Sequence, residues 1–385
     1  SIGRLNPHPN PPPAWGRGLS QQEHMKPFIP NLRSNSHQAR GRAIGYCVSL
    51  LFLTIVTGCS QPSSLYQDQF LAFGTVVSLS IWGASKQQNH EASRLIREDF
   101  AAMHDTWHAW KKGGLLGEIN QNISDGKPTP LSQEASELLQ QSATLSEQSN
   151  HLFNPAIGKL VALWGFHGEE RKGPPPAQEK IDLLLQSNPT LSTLQFTEGN
   201  IQSSNPSVKI DLGGIAKGYA VDRAIEQLKQ LGIQHAIVNT GGDLRAIGAH
   251  GERNWNIGIR APDGGEPIAS LQPKNDESIF TSGDYERMFL YEGKRYHHII
   301  DPRTGWPATG TRSVTVIHKR ATIADAAATA LLIADPEQRT TIAKQMGIEQ
   351  LLIIDQAGDY HMSESMQQRL TFLGDPPHIT RLVIR

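Results

Sequence analysis

Three short stretches of this chain concentrate residue types that can do chemistry. KIDLGGIAKGYAVDRAIEQL, residues 209–228, carries Asp211, Gly213, Gly214, Lys217 and Gly218 on a turn that runs into an amphipathic helix, expected over Ala216–Gln230. Its glycines let the backbone turn tightly and approach a ligand without a Cβ in the way. Lys217 falls in the first helical turn, where unpaired amides favour an anion. That suits a phosphate-bearing ligand, although the pattern is neither GxGxxG nor a Walker loop, and a plain strand-to-helix turn with an exposed lysine accounts for it equally. ADAAATALL, residues 324–332, sets Asp325 and Thr329 four apart, on one helical face in successive turns. A carboxylate, a hydroxyl and nearby backbone carbonyls make a hard oxygen site suited to Mg²⁺ rather than a soft metal; the plainer reading is a helix-capping Asp325 and a Thr329 packed among alanines. RYHHIIDPRTGWPATG, residues 295–310, places two histidines at the end of a strand and opens a loop at Asp301. His298 with a carboxylate three residues on can be a general base and its orienting partner, or a structural hydrogen-bonding pair.

The elements that must position these residues are legible in outline. A length of 385 residues with 38% hydrophobic content allows one large domain or two medium ones. With 36 basic against 37 acidic residues and no basic stripe interleaved with aromatics, nucleic-acid binding is set aside. LAFGTVVSLSIWG suggests a strand bent at its glycine, and HEASRLIREDFAAMHDTWHAW a helix with Leu95, Phe100, Met103 and Trp107 towards one face. GGLLGEINQNISDGKPTPL is looser, QEASELLQQSATLSEQSN a second helix, and GEERKGPPPAQEK a polar loop before a short helix. PTLSTLQFTEGNIQSSNPSVKIDL suggests strands joined at Asn-Pro, and AIVNTGGDLRAIGAHGERNWNIGIRAP two strands with glycine-rich connections. Strands follow in SIFTSGDYERMF, KRYHHIID, SVTVIH and QLLIID, with a helix in TIADAAATALLIA. Uneven insertion of helices among strands predicts an α+β fold with mixed or antiparallel sheets. It reads as one catalytic unit over residues 70–385, a bilobed arrangement being the variant left open.

The N-terminal region has a different character. Residues 1–24 are proline-rich and cannot build a packed core, so they read as an upstream extension with Met25 a candidate start. Residues 25–58 contain Arg33, Arg40 and Arg42 and then the apolar run AIGYCVSLLFLTIVT, too short for a bilayer span of roughly 20 residues. That order is the order of a secretory signal, and VTGC ending at Cys59 is similar to a bacterial lipobox, which makes Cys59 the expected lipidation site. Polar residues 59–69 read as a tether, with acyl chains holding the protein at a membrane surface. The only cysteines are Cys47 and Cys59, so the body uses neither disulfides nor thiolate chemistry.

FGTVV from 73, FNPAIGKLVALWGF from 153, KIDLGGIAKGYAVD from 209, IVNTGGDLRAIG from 237, FTSGDYER from 280, HHIIDPRTGWP from 297 and ADAAATAL from 324 occur in this order. In series they resemble the ApbE family, the FAD:protein FMN transferases of bacterial cell envelopes, whose fold is related to the T-fold. The resemblance implies splitting of FAD at its pyrophosphate and transfer of FMN to a Thr or Ser hydroxyl of a target protein, with AMP released. Targets would be flavin-bearing subunits of membrane redox complexes, and the location a lipid-anchored one facing the periplasm. It further implies Mg²⁺ at Asp325, Thr329 and the backbone of Gly214 and Ala328. FAD contacts fall at Phe73, Trp110, Asn154, Ala156, Asp211, Lys217, Ser282, Asp284, His298 and Ile299, with Gly283 in the same segment. His298 would take the acceptor's proton and Asp301 would order its loop. Departures from the family pattern are Phe73 for methionine, Trp110 for tyrosine and Asn154 for aspartate; an aromatic ring still stacks on a flavin. Two alternatives accompany this reading: an FAD pyrophosphatase giving free FMN and AMP, and a non-catalytic flavin-binding lipoprotein.

Overall fold

A computed structural model describes residues 64–110, 113–168 and 173–384. The extension, the signal segment and Cys59 lie outside the described residues. From the N-terminal side the elements are β1 (Leu65–Ala72), β2 (Thr75–Trp82), α1 (Lys86–Trp107), α2 (Leu115–Ser124), β3 (Thr129–Pro130), α3 (Gln133–Gln148), α4 (Gly158–Trp164) and α5 (Gln178–Gln186). Next come β4 (Leu194–Thr197), β5 (Asn200–Ser203), α6 (Ala216–Gln230), β6 (Ala236–Thr240), β7 (Asp243–Ile247), β8 (Ile257–Ile259), β9 (Ala269–Leu271) and β10 (Glu277–Gly283). The rest are β11 (Met288–Tyr291), β12 (Lys294–His297), β13 (Thr311–His318), α7 (Ala321–Ile333), α8 (Arg339–Gln345), β14 (Gln350–Asp355), β15 (Tyr360–Ser363), α9 (Glu364–Gln367), β16 (Thr371–Phe372) and β17 (Ile379–Leu382).

The fold is α+β, as expected. Its centre is a nine-stranded sheet in the order β1-β2-β6-β7-β10-β13-β14-β15-β17. Neighbours run antiparallel except β15 and β17. The described residues form one compact unit, so the bilobed variant is not realised. One apolar cluster joins the sheet to α1, α2, α3, α6 and α7; a second, around Trp255, Leu352 and Met362, is shared with the small β8-β9-β16 sheet. A third gathers Trp164 of α4, Ile181 of α5, and Phe289 and Tyr296 of the β11-β12 hairpin.

Local chemistry explains the elements and the departures from expectation. The sequence LAFGTVVSLSIWG is a hairpin, not one bent strand. Phe73 (φ 51°) and Gly74 (φ 72°) are both left-handed, the signature of the type I′ turn whose twist suits a two-residue hairpin. Residues 65–69 of the expected tether belong to β1, because Tyr66 and Phe70 pack on the core and Asp68 binds Arg97 and Ser93 of α1. α1 starts at a capping box of Ser85 and Gln88. Its buried stripe is Ile96, Phe100, Met103 and Trp107, with Ile96 in the place expected for Leu95. The looser stretch is helical over α2, burying Leu116, Ile119 and Ile123. β4 and β5 turn at Glu198 and Gly199, both with positive φ, rather than at Asn-Pro. The stretch from Ala236 holds three strands, and β15, α9, β16 and β17 follow β14, where no element was expected.

Candidate active site

The site is assembled where α6 and α7 meet the large sheet. α6 starts at Ala216, as the sequence indicates, and buries Gly218, Ala220, Val221, Asp222, Ala224, Ile225 and Leu228. α7 is apolar almost all round: only Ile323 and Thr329 of its residues are not buried. Its alanines allow close approach, and a Cβ on Gly218 would stand 2.3 Å from the Ala321 carbonyl oxygen. Glycine is required there by contact, not by φ.

A cavity of about 1270 Å³ opens over this crossing. Typical small-molecule sites are roughly 300–1,000 Å³, so a dinucleotide has room. The cavity gathers Phe73, Trp110, Asn154, Asp211, Gly213, Gly214, Lys217, Ser282, His298, Ile299, Asp325 and Thr329 from seven separate parts of the chain.

Asp325 does not cap its own helix. It lies one turn inside α7, and its Oδ2 accepts the Gly218 N–H at 2.9 Å. Burial, with the charges of Asp243 and Glu286, raises its carboxyl to about 7 against the opposing Lys217 ammonium and the Gly218 amide. Thr329 Oγ1 is 3.4 Å from Ser282 Oγ and 3.4 Å from where a Cβ of Gly214 would be. Gly214 therefore lies directly beside the Thr329 hydroxyl. Among the described residues no three His, Cys, Asp or Glu side chains converge as a metal cluster. A cation here would use one carboxylate, a hydroxyl, backbone oxygen and the ligand's own oxygens, the set a hard ion accepts. Asp325, with the Thr329 hydroxyl one turn on, offers such an ion hard oxygen donors at the cavity wall.

Lys217 is anchored, not free: its Nζ pairs with Asp243 Oδ2, whose other oxygen accepts the Thr281 N–H at 2.9 Å. Burial alone disfavours the ammonium, but Asp243, Asp325 and Glu286 together raise it well above the usual lysine range. Asp211 links this polar floor to an aromatic wall. Burial pushes its carboxyl up, against hydrogen bonds from the Gly213 N–H at 2.8 Å and from the Trp110 side chain. The Trp110 ring stacks on His167 at 4.8 Å, and Lys209 Nζ lies 3.9 Å from the ring centroid on a cation–π contact. Phe73 meets His104 edge-on across the same wall.

His298 lines the cavity with its Nδ1 buried and without a hydrogen-bond partner. Burial, reinforced by His297, Arg287 and Lys217, lowers it to about 3, so the ring is neutral and weakly basic in this state. Asp301 does not orient it. The Asp301 carboxylate is bound by the Arg303 amide and guanidinium and closes the 301–305 turn. The strand ends at His297, whose Nε2 lies 2.8 Å from Ala308 O, while His298 lines the cavity.

Several residues expected at the ligand do not line the cavity. Asp284 is buried with Arg295, 3.4 Å away, and Gln356, and Gly283 packs on Tyr285. Ala156 and Ala328 are enclosed in the core. Asn154 reaches the cavity, but its amide is engaged with Pro189 O and Ala156 N. Conversely, Asp243, Glu286, Arg287 and Arg260 belong to the site and were not singled out from sequence. For Asp243 there was a signal: two charges, Asp243 and Arg245, alternate within the otherwise apolar strand DLRAI.

The ApbE family profile matches residues 73–352. A protein of Rhodobacter capsulatus named FAD:protein FMN transferase is 36% identical over 321 residues, covering 83% of this chain, which spans 61% of that protein's length. One of the same name from Haemophilus influenzae is 30% identical over 303 residues, covering 75% of this chain and 83% of the relative. Among solved structures, the ApbE protein of Thermotoga maritima superposes with a TM-score of 0.73 at 32% identity, covering 80% of this chain and 99% of its own. The flavin transferase ApbE of Vibrio cholerae superposes at 0.71 and 26% identity, covering 80% and 100%. Profile, relatives and architecture agree, and the chain belongs to the ApbE family.

Proposed function

We propose that this protein is a transferase that moves the FMN half of FAD to a Thr or Ser hydroxyl of an acceptor protein. The acceptor oxygen attacks the FMN phosphorus, the bond to the AMP phosphate breaks, AMP leaves, and the hydroxyl proton is lost. The observation that carries the reading is one cavity in which the Asp325–Thr329–Gly214 cradle and Lys217 adjoin, through Asp211, the aromatic wall of Trp110. The first group suits a pyrophosphate, the second a flavin ring.

Asp325, Thr329 and the Gly214 backbone would hold Mg²⁺, which when bound neutralises charge on the pyrophosphate. Lys217, kept charged by Asp243, holds an ammonium beside the phosphates. Gly213 and Gly214 admit the backbone to the ligand. His298 would take the acceptor proton; a dianionic ligand close by would raise its basicity. A loose transition state asks little of that base. Lipid anchoring at Cys59 and a periplasmic position, with subunits of membrane redox complexes as acceptors, complete the proposal. Incubation with FAD, Mg²⁺ and a Thr/Ser-bearing acceptor, followed by intact-mass analysis and AMP quantification, tests it. An acceptor gain equal to FMN, in step with AMP and blocked by EDTA, is expected; AMP without adduct identifies a hydrolase, and FAD recovered intact sinks both.

A further inference from the structure

α6 and α7 hold each other through two carboxylates, Asp222 and Asp325, whose partners on α7 and α6 are set one helical turn apart. Asp222 of α6 is buried and accepts from the first residues of α7: Ala321 N at 2.8 Å, Thr322 N at 3.0 Å and Thr322 Oγ1 at 2.6 Å. α7 lacks a cap of its own, since Arg320 at that position makes no side-chain capping bond and the first turn has no acidic residue. A carboxylate from another helix thus supplies the acceptor and the negative charge that a helix N-terminus needs. In return, Asp325 of α7 accepts from Gly218 N, four residues before Asp222 on α6. β7 braces the arrangement from beneath. Arg245 donates to Asp222 Oδ1 at 2.6 Å while Asp243, two residues earlier on the same strand, holds Lys217.

We infer that Asp222 is a positioning residue of the transfer site: it fixes the register of α7 against α6 and so places Asp325 and Thr329. Asp222 clamps the first turn of α7 and Gly218 N holds Asp325 one turn on, so within the packed core the two together set the tilt of α7 against α6. Thr329 lies eight residues beyond Ala321, about 12 Å along the axis at 1.5 Å per residue. A pivot of about 5° displaces it by about 1 Å, and an error of that size can cost on the order of a hundredfold in rate.

The inference rests on the reading of Asp325 and Thr329 as Mg²⁺ donors, so the test reads metal response rather than turnover. FAD binding by the intact protein, acceptor omitted, is followed by flavin fluorescence across a MgCl₂ series. In Asp222→Asn the Mg²⁺ midpoint rises tenfold or more, in the range of about 10–100-fold typical of lost supporting partners. Leu228→Ala, a buried α6 truncation, lowers the melting temperature without moving the midpoint. Asp222→Asn melting early with a wild-type midpoint overturns the inference. Should Asp222→Asn not fold, Thr322→Val, which deletes only the hydroxyl bond, shifts the midpoint about threefold, and an unchanged midpoint in that variant overturns it too. Wild-type FAD binding that ignores Mg²⁺ overturns the metal reading itself, which the variants then cannot rescue.

Discussion

Gly218→Ala sets two effects of opposite sign against each other. Alanine in a helix interior is ordinarily favoured over glycine by about 1 kcal/mol. At this site the new methyl would meet Ala321 O at 2.3 Å, Ala321 C at 2.7 Å and Thr322 Cα at 2.8 Å, all backbone atoms that no rotamer change can move. Restoring ordinary contact separates the helices by about 1 Å. Overpacking of this kind costs about 1–3 kcal/mol, and backbone-on-backbone contact belongs at the upper end. The net expectation is a loss of about 2 kcal/mol, or about 4 °C in melting temperature for a domain of this size. The same movement stretches the 2.9 Å bond from Gly218 N to Asp325, so AMP release from FAD falls on the order of a hundredfold, more than the stability loss explains. Calorimetry and an AMP assay on one preparation decide it. A variant more stable than wild type and fully active would refute the close-crossing argument, because helix propensity alone predicts that outcome.

Asp325→Asn keeps an acceptor for Gly218 N while removing the charge; FAD cleavage should drop by more than the ~100-fold typical of outer partners, with the fold intact by circular dichroism. Trp110→Ala deletes the stack on His167 and the Lys209 contact. At about 1–3 kcal/mol for a base-sized ring, FAD binding by fluorescence should weaken about tenfold, and unchanged affinity would remove Trp110 from the flavin wall. Phe73→Asn puts Asn-Gly into the type I′ turn, which that pair prefers, so thermal stability should hold while FAD affinity falls. His298 has its folded-state value lowered to about 3 from 6.5, so between those values the unfolded chain binds the extra proton and stability falls as pH falls. From pH 7.5 to 5.5 the loss is about 1.4 kcal/mol, and denaturant titrations of His298→Gln should lack that part of the slope.

The sequence carries the site more clearly than it carries the fold's edges. Asp325 and Thr329 at helical spacing, and the glycine turn before α6, meet in space on two helices that the sequence places at these residues. Asp243 was hidden because its meaning depends on Lys217 arriving from a different element, and no local pattern encodes that pairing. Asp301 orders its turn as expected, but its pairing with His298, like the expected ligand contact of Asp284, is absent among the described residues for the converse reason. Each stands in a motif beside cavity residues, yet Arg303 and Arg295 claim their charges. The β1–β2 turn was read as a bend because a left-handed Phe73 is not expected where glycine alone usually accepts positive φ.

The enclosure of α7 has a dynamic consequence. A helix with nearly every side chain interior cannot rock without opening the core, so its amides should exchange with solvent only through near-global unfolding. The cavity's other boundary is made of the Phe73 turn and of Met288 and Leu290 on the β11–β12 hairpin, both partly solvent-exposed. On the proposed transferase reading, any adjustment to an acceptor therefore falls to that outer boundary, while Asp325 and Thr329 stay at fixed coordinates.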